Sequence, residues 1–161
     1  MDGGVSENSY LSKLITVTEG EWAGWQCYPG GDPFEDLAGT FYYRVRDDGV
    51  AVCAFRAEKK HLNGGGNLHG GLVMTFADFS LFVIARVVID DASTVTATFN
   101  GELVGTAREG DLVECTGEVV KAGRSMVFVR GLVTCGEEPV MSFSSVLKKK
   151  APRRTGGSAT S

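Results

Sequence analysis

HLNGGGNLHGGLVMTFADFSLFVIARVV, residues 61–88, runs from a glycine-rich loop into a long apolar segment with a single acid, Asp78, among Leu, Val, Met and Phe. The loop offers backbone N–H groups unobstructed by side chains. A helix starting at its end adds the positive pole of its dipole, a setting suited to a developing negative oxygen. A carboxylate on so apolar a helix is costly to bury and is seldom kept for packing alone. Donors and acid together point to hydrolysis of an activated acyl group. The run from Leu72 to Val88 approaches bilayer-spanning length, but Asp78 and Arg86 within it favour a buried helix of a globular protein over a membrane span.

At 161 residues the chain suits one domain with a substantial core, and its 43% hydrophobic and 22% charged content is ordinary for a soluble protein. A net charge of −4 argues against nucleic acid as the main partner. The charge is uneven. Lys148, Lys149, Lys150, Arg153 and Arg154 take 5 of the 16 basic residues, which leaves 11 against 20 acids and a body near −9. Cys27, Cys53, Cys115 and Cys135 show no CxxC spacing, and no secretory signal opens the sequence, so they read as reduced thiols of a cytoplasmic protein. Neither His61 nor His69 stands at a usual ligand spacing from a cysteine or from the other, so no metal and no cofactor is expected.

Residues 1–31 read as an N-terminal extension, with a short helix around Tyr10–Thr18. In DPFEDLAG, Asp32 is placed to cap a small helix, Pro33 suits its first turn, and Gly39 can close it in a left-handed conformation. Phe41–Arg46 and Val50–Arg56 flank the Asp47-Asp48-Gly49 turn as a hairpin. Past the helix, Thr94–Val104 alternates Thr94, Thr96, Thr98 and Asn100 against Val95, Ala97 and Phe99, a half-buried strand. Leu112–Lys121, Met126–Cys135 and Val140–Lys148 complete the strands, and residues 150–161 form a basic tail without large apolar residues, expected to be disordered. One apolar helix among antiparallel strands predicts an α+β fold in which a curved sheet wraps the helix.

The chemistry can be assigned in outline. The carbonyl of an activated acyl group is already electrophilic, and its leaving group departs without a strong acid. What remains is to stabilise an oxyanion and to supply an oxygen nucleophile. Gly70, at the helix start, is the expected oxyanion donor, because its N–H has no role inside the helix and the missing side chain admits the acyl group. Asp78 is the expected nucleophile or general base. The structural alternatives are a tight loop-to-helix junction at Gly70–Gly71 and an Asp78–Arg86 ion pair. Eight residues of helix separate Gly70 from Asp78 by about 12 Å. One acyl substrate therefore reaches both only if the helix starts late or breaks, or if a second chain completes the site. No G-x-S-x-G is present for a serine mechanism.

The order of elements, together with N-x5-HGG and an Asp eight residues after the first Gly of that pair, resembles the hotdog-fold acyl-CoA thioesterases, in particular their phenylacetate-pathway (PaaI-like) branch. The resemblance spans residues 32–149 and includes FEDLAGTFYYR and GRSMVFV. It implies an acyl-CoA substrate and a homodimer, or a dimer of dimers, whose sites are shared between subunits. It places Asn63 where the family carries an Asn that holds water or orients the thioester. It puts Thr96 where relatives carry a hydroxyl beside the acid. His69 is then a ligand of the loop or of the thioester. Gly71 falls within the substrate-binding loop, and Lys121, Gly123, Arg124 and Ser125 lie beside the family's nucleotide-binding region, with Arg56 and Arg108 as further cations. Competing readings are a non-catalytic acyl-CoA-binding module and a hotdog dehydratase using His69 with Asp78. The acyl group stays open; Met74, Phe76, Phe79 and Phe82 are its candidate pocket.

Overall fold

A computed structural model describes residues 13–89 and 94–150. Eight antiparallel strands form one sheet in the order β1-β2-β3-β4-β6-β7-β8-β5. The strands are β1 (Ile15–Thr16), β2 (Gln26–Cys27), β3 (Tyr42–Val45), β4 (Ala51–Arg56), β5 (Thr94–Leu103), β6 (Leu112–Ala122), β7 (Met126–Cys135) and β8 (Glu138–Lys149). Two α-helices accompany them, α1 (Pro33–Ala38) and α2 (Gly70–Ile89). This is the hotdog arrangement expected from the order of elements.

The sheet curls around α2 because that helix is apolar on nearly every side. Val73, Phe76, Ala77, Leu81, Val83 and Ala85 are all buried, and by composition and length the helix would also suit a bilayer. Its sides meet Val113, Cys115, Val127, Val129 and Phe143 of the sheet instead. Close approach depends on two glycines. Gly117 of β6 and Gly131 of β7 are cross-strand partners. A Cβ on Gly117 would stand 2.7 Å from Ile84 Cδ1 of α2, and one on Gly131 would press into the Phe143 ring, 2.6 Å from its Cε1. The pair leaves room for the helix on one strand and for an aromatic neighbour on the next.

The structure departs from the sequence expectation at the N-terminus. Ile15–Thr16 is a strand, not the end of a helix, and residues 10–12 lie outside the described residues. β1 pairs with β2, and β2 with β3, so the sheet begins well before Asp32. The cause is aromatic packing. Trp22 stacks on Tyr42 at 4.2 Å and meets Trp25 edge-on, while Arg44 lies over the Trp25 ring, which ties the segment to β3. The expected tail beyond Lys150 also lies outside the described residues.

Asp32 caps α1 as expected, its Oδ1 accepting from the N–H groups of Phe34 (2.9 Å) and Glu35 (3.1 Å). Gly39, however, is extended rather than left-handed. Its lack of a side chain serves packing, since a Cβ there would lie 2.8 Å from His61 Nε2.

The alternation on β5 is also not the expected one. A bulge between Thr96 and Thr98 shifts the register against β8, so Val95 and Ala97 are exposed while Thr96 and Phe99 are half-buried. Two residues oppose one at a bulge, so strict alternation breaks there, and Thr96 and Phe99 share a face.

Replacing Gly117 by Val is expected to lower unfolding stability by about 1–3 kcal/mol through overpacking against Ile84 and the β7 backbone, read as a lower urea midpoint. An unchanged midpoint would mean that the sheet does not need the glycine pair.

Candidate active site

The loop before α2 is organised by its own polar groups. Asn63 Oδ1 accepts from the N–H of Gly65 (2.8 Å) and of Asn67 (3.3 Å), and the backbone of Asn63 is bonded to Asn67 and Gly66. Its carbonyl therefore folds the loop, and only its amide N–H groups stay uncommitted. His69 does the same for the helix: its Nδ1 accepts from Gly71 N–H at 3.0 Å, while its carbonyl receives Leu72 and Val73. His69 is thus the helix cap, a role absent from its sequence context because histidine is not among the favoured capping residues. Gly71 N–H is spent on that cap. Gly70 N–H, at the first position of α2, donates to no group among the described residues. It is an open donor at the positive end of a 20-residue helix.

His61, by contrast, is structural. It is buried, its Nδ1 accepts from Glu58 N–H at 2.9 Å, and burial lowers its pKa, so the ring is held neutral.

Asp78 sits half-buried on the middle of α2. Thr96 Oγ1 donates to its Oδ1 at 2.7 Å, so β5 delivers a hydroxyl to the acid. Burial raises the Asp78 pKa above the ordinary carboxylate value; the Thr96 hydrogen bond opposes the rise and the Asp32 charge adds to it. Asp78 makes no ion pair among the described residues. Arg86 turns to the other end of the helix, donating to the Tyr43 hydroxyl and lying over its ring. The structural ion pair is thereby excluded as the reason for an acid on α2.

A cavity of about 380 Å³ opens in front of Asp78, lined by Asp32, Phe34, Glu35, Met74, Thr75 and Phe99 as well. Of the aromatic residues expected there from the helix, Phe76 and Phe79 are core and Phe82 packs against the core; only Met74 reaches the cavity. Phe34 and Phe99 take their place. Sequence reasoning missed both, because they come from α1 and β5 and only the fold sets them beside the acid.

α2 begins at Gly70 and runs unbroken to Ile89. The helix neither starts late nor breaks, so within one chain Gly70 N–H and Asp78 stay about 12 Å apart along the axis. Lys121, Gly123, Arg124 and Ser125 gather at the β6–β7 turn, where Gly123 N–H bonds Met126 O at 2.7 Å and Lys149 N–H bonds Ser125 O at 2.9 Å. The side chains of Lys121 and Arg124 are exposed. Arg56 is otherwise engaged, with Glu21 and the Gly110 carbonyl.

The model of the family described as "Thioesterase superfamily" matches residues 65–142, the span from the loop into β8. A Pseudomonas aeruginosa protein called "Putative esterase PA0474" is 36% identical over 76% of this chain and 92% of its own length. Human acyl-coenzyme A thioesterase 13 is 27% identical over 59% of this chain and 68% of its own. Among solved structures, Escherichia coli PaaI of the phenylacetic acid degradation operon superposes with a TM-score of 0.65 at 18% identity, covering 76% of this chain and 87% of that one. The chain belongs to the thioesterase superfamily.

Because Asp78 titrates above its ordinary value, its ionised form is disfavoured by folding, a cost present at neutral pH and relieved as pH falls through the folded-state pKa. Asp78→Asn is therefore expected to raise the thermal midpoint at pH 7 and to lose that advantage near pH 3. A lower midpoint at pH 7 would show that the carboxylate stabilises the fold.

Proposed function

We propose that the protein is an acyl-CoA thioesterase that hydrolyses a CoA thioester to a free acid and CoA. The observation that carries this reading is the Thr96–Asp78 pair at the wall of a cavity, an acid with raised pKa and no ion-pair partner among the described residues. Membership of the superfamily and similarity to a human enzyme named for acyl-coenzyme A support the substrate class. The narrower placement in the PaaI-like branch rests on the N-x5-HGG loop and its following Asp, and a reducing cytoplasmic setting on four free thiols.

In this mechanism the Asp78 carboxylate is the general base. The Thr96 hydroxyl proton is committed to Asp78 Oδ1, which leaves the Thr96 oxygen to accept from a water and Oδ2 to take that water's proton. The water attacks the thioester carbonyl, the C–S bond breaks, and the thiolate departs. In the variant scheme Asp78 attacks directly and forms an anhydride; under single turnover in ¹⁸O-water, opening of that anhydride at the aspartyl carbon labels Asp78 and leaves the released acid unlabelled, whereas the general-base route labels the released acid alone. Gly70 N–H, the open donor at the helix start, receives the oxyanion. Because α2 keeps the two groups of one chain apart, the donor comes from a second copy. β5 is an edge of the sheet among the described residues, and there two sheets can join. Asn63, through its amide N–H groups, orients the thioester. Gly71 and His69 shape its approach, and Lys121 and Arg124, with Gly123 and Ser125, meet the CoA phosphates.

Two alternatives fit less well. A dehydratase needs His69 as its base, yet with Nδ1 accepting from Gly71 N–H the neutral ring carries its proton on Nε2 and offers no lone pair there to take another. A purely binding module has no use for an acid whose burial is costly.

Asp78→Asn is expected to lower thiol release by about 10²–10⁴-fold while leaving acyl-CoA binding intact. Gly70→Pro keeps an allowed first helical residue but removes the donor. Each variant alone should be inactive; mixed and refolded together, they should recover about one quarter of wild-type activity, because half the dimers are mixed and each holds one intact site of two. No recovery on mixing would place both groups in one chain and end the shared-site mechanism.

A further inference from the structure

Ser145 sets a hydroxyl in an otherwise apolar stretch of β8. It lies between the buried Phe143 and Leu147, opposite Val129 of β7, and is 3% exposed. An alanine would fill that place without the cost of burying a polar group. The hydroxyl has one use that the fold makes plain: Ser145 Oγ donates to the Thr98 carbonyl of β5 at 2.7 Å. That carbonyl borders the bulge. Thr96 pairs with Leu147 and Thr98 with Val146, so Ala97 is an extra residue without a partner on β8. A bulge interrupts the ladder, and the strand there depends on other contacts for its course. Among the described residues β8 is also the one sheet neighbour of β5. Thr96 stands at the near end of the bulge and Ser145 anchors the far end. The Thr96 hydroxyl has to meet Asp78 Oδ1 at 2.7 Å on a separate element, and a one-residue slip of β5 at Thr96 would turn that hydroxyl to the opposite face.

We propose that Ser145 is a positioning residue for the hydrolysis: by anchoring the Thr98 carbonyl it fixes the bulge next to Thr96 and so holds the Thr96 hydroxyl on Asp78. This rests on the thioesterase reading and adds a residue to its machinery. Sealed in the core, Ser145 acts only through Thr96.

The test follows thiol release by the full chain from acetyl-, hexanoyl-, palmitoyl- and phenylacetyl-CoA, and takes the best of them for the variants. Ser145→Ala is expected to lower kcat by about tenfold with KM held within about twofold, because the base loses its alignment while the binding surface stays. The acid limb of its kcat/KM profile should move to higher pH. Burial and the Asp32 charge raise the Asp78 pKa, and the Thr96 hydrogen bond that opposes them would be lost, while Asp32 and Glu35 in the same cavity are left untouched. Ser145→Thr, which keeps the hydroxyl, should lose less than Ser145→Ala. In a Thr96→Val background Ser145→Ala should cost nothing further, since two residues acting through one contact are not additive. Full kcat in Ser145→Ala, or an unmoved acid limb, overturns the positioning role. So does an equal loss in Ser145→Thr, or an undiminished loss in the Thr96→Val background. In each of these cases wild-type turnover still upholds the thioesterase reading. Thiol release from none of the compounds overturns that reading and the inference with it.

Discussion

An apolar helix of 20 residues must be covered on most of its surface, and the rest of the fold follows from how that is done. One flat sheet would shield one side only. Here the strands curl so that α2 meets β4, β6, β7, β5 and β8 in turn, with α1 against it as well. The curl brings backbone close to helix, and side chains must be removed where the two meet. Gly117 and Gly131 answer that need side by side, with Ile84 filling the space above one and the Phe143 ring above the other. Burial of apolar surface drives the wrapping; glycine placement sets how tight it becomes.

Within that cover, Asp78 is the exception. A carboxylate in mid-helix loses solvation and, among the described residues, receives a single hydrogen bond, from Thr96, in partial return. The compensation comes from the edge strand β5, from the residue just before its bulge. Strand, bulge and helix thus converge on one oxygen. Burial first, and then the nearby charge of Asp32, raise its basicity against the pull of the Thr96 hydrogen bond. A cost to the fold becomes a property useful in proton transfer.

The loop before the helix shows how few of its polar groups are free. The Asn63 carbonyl and His69 Nδ1 are consumed in folding the loop and capping the helix, and Gly71 N–H goes to that cap. Gly70 N–H is left over as a consequence of helix geometry, since the first turn of a helix has no internal acceptors. Donor and acid are then separated by a straight rod. A proposed second copy, joined along β5, is the simplest way to bring one chain's open N–H to the other chain's acid.

The sequence alone determined the helix, its acid, the open glycine at its start and the antiparallel strands, because each depends on local periodicity, a helix boundary or a turn residue. It also carried Thr96 beside Asp78, through resemblance to a known family rather than through the alternation of β5, which points that residue to the wrong face. What only the tertiary structure decided was which residues meet. Trp22 and Trp25 bring an apparent extension into the sheet, Phe34 and Phe99 displace Phe76 and Phe79 from the cavity, and Arg86 goes to Tyr43 instead of Asp78. These are contacts between elements distant in the chain, or choices between helix faces, and both are set by how the sheet curls around α2. No local pattern encodes that curl.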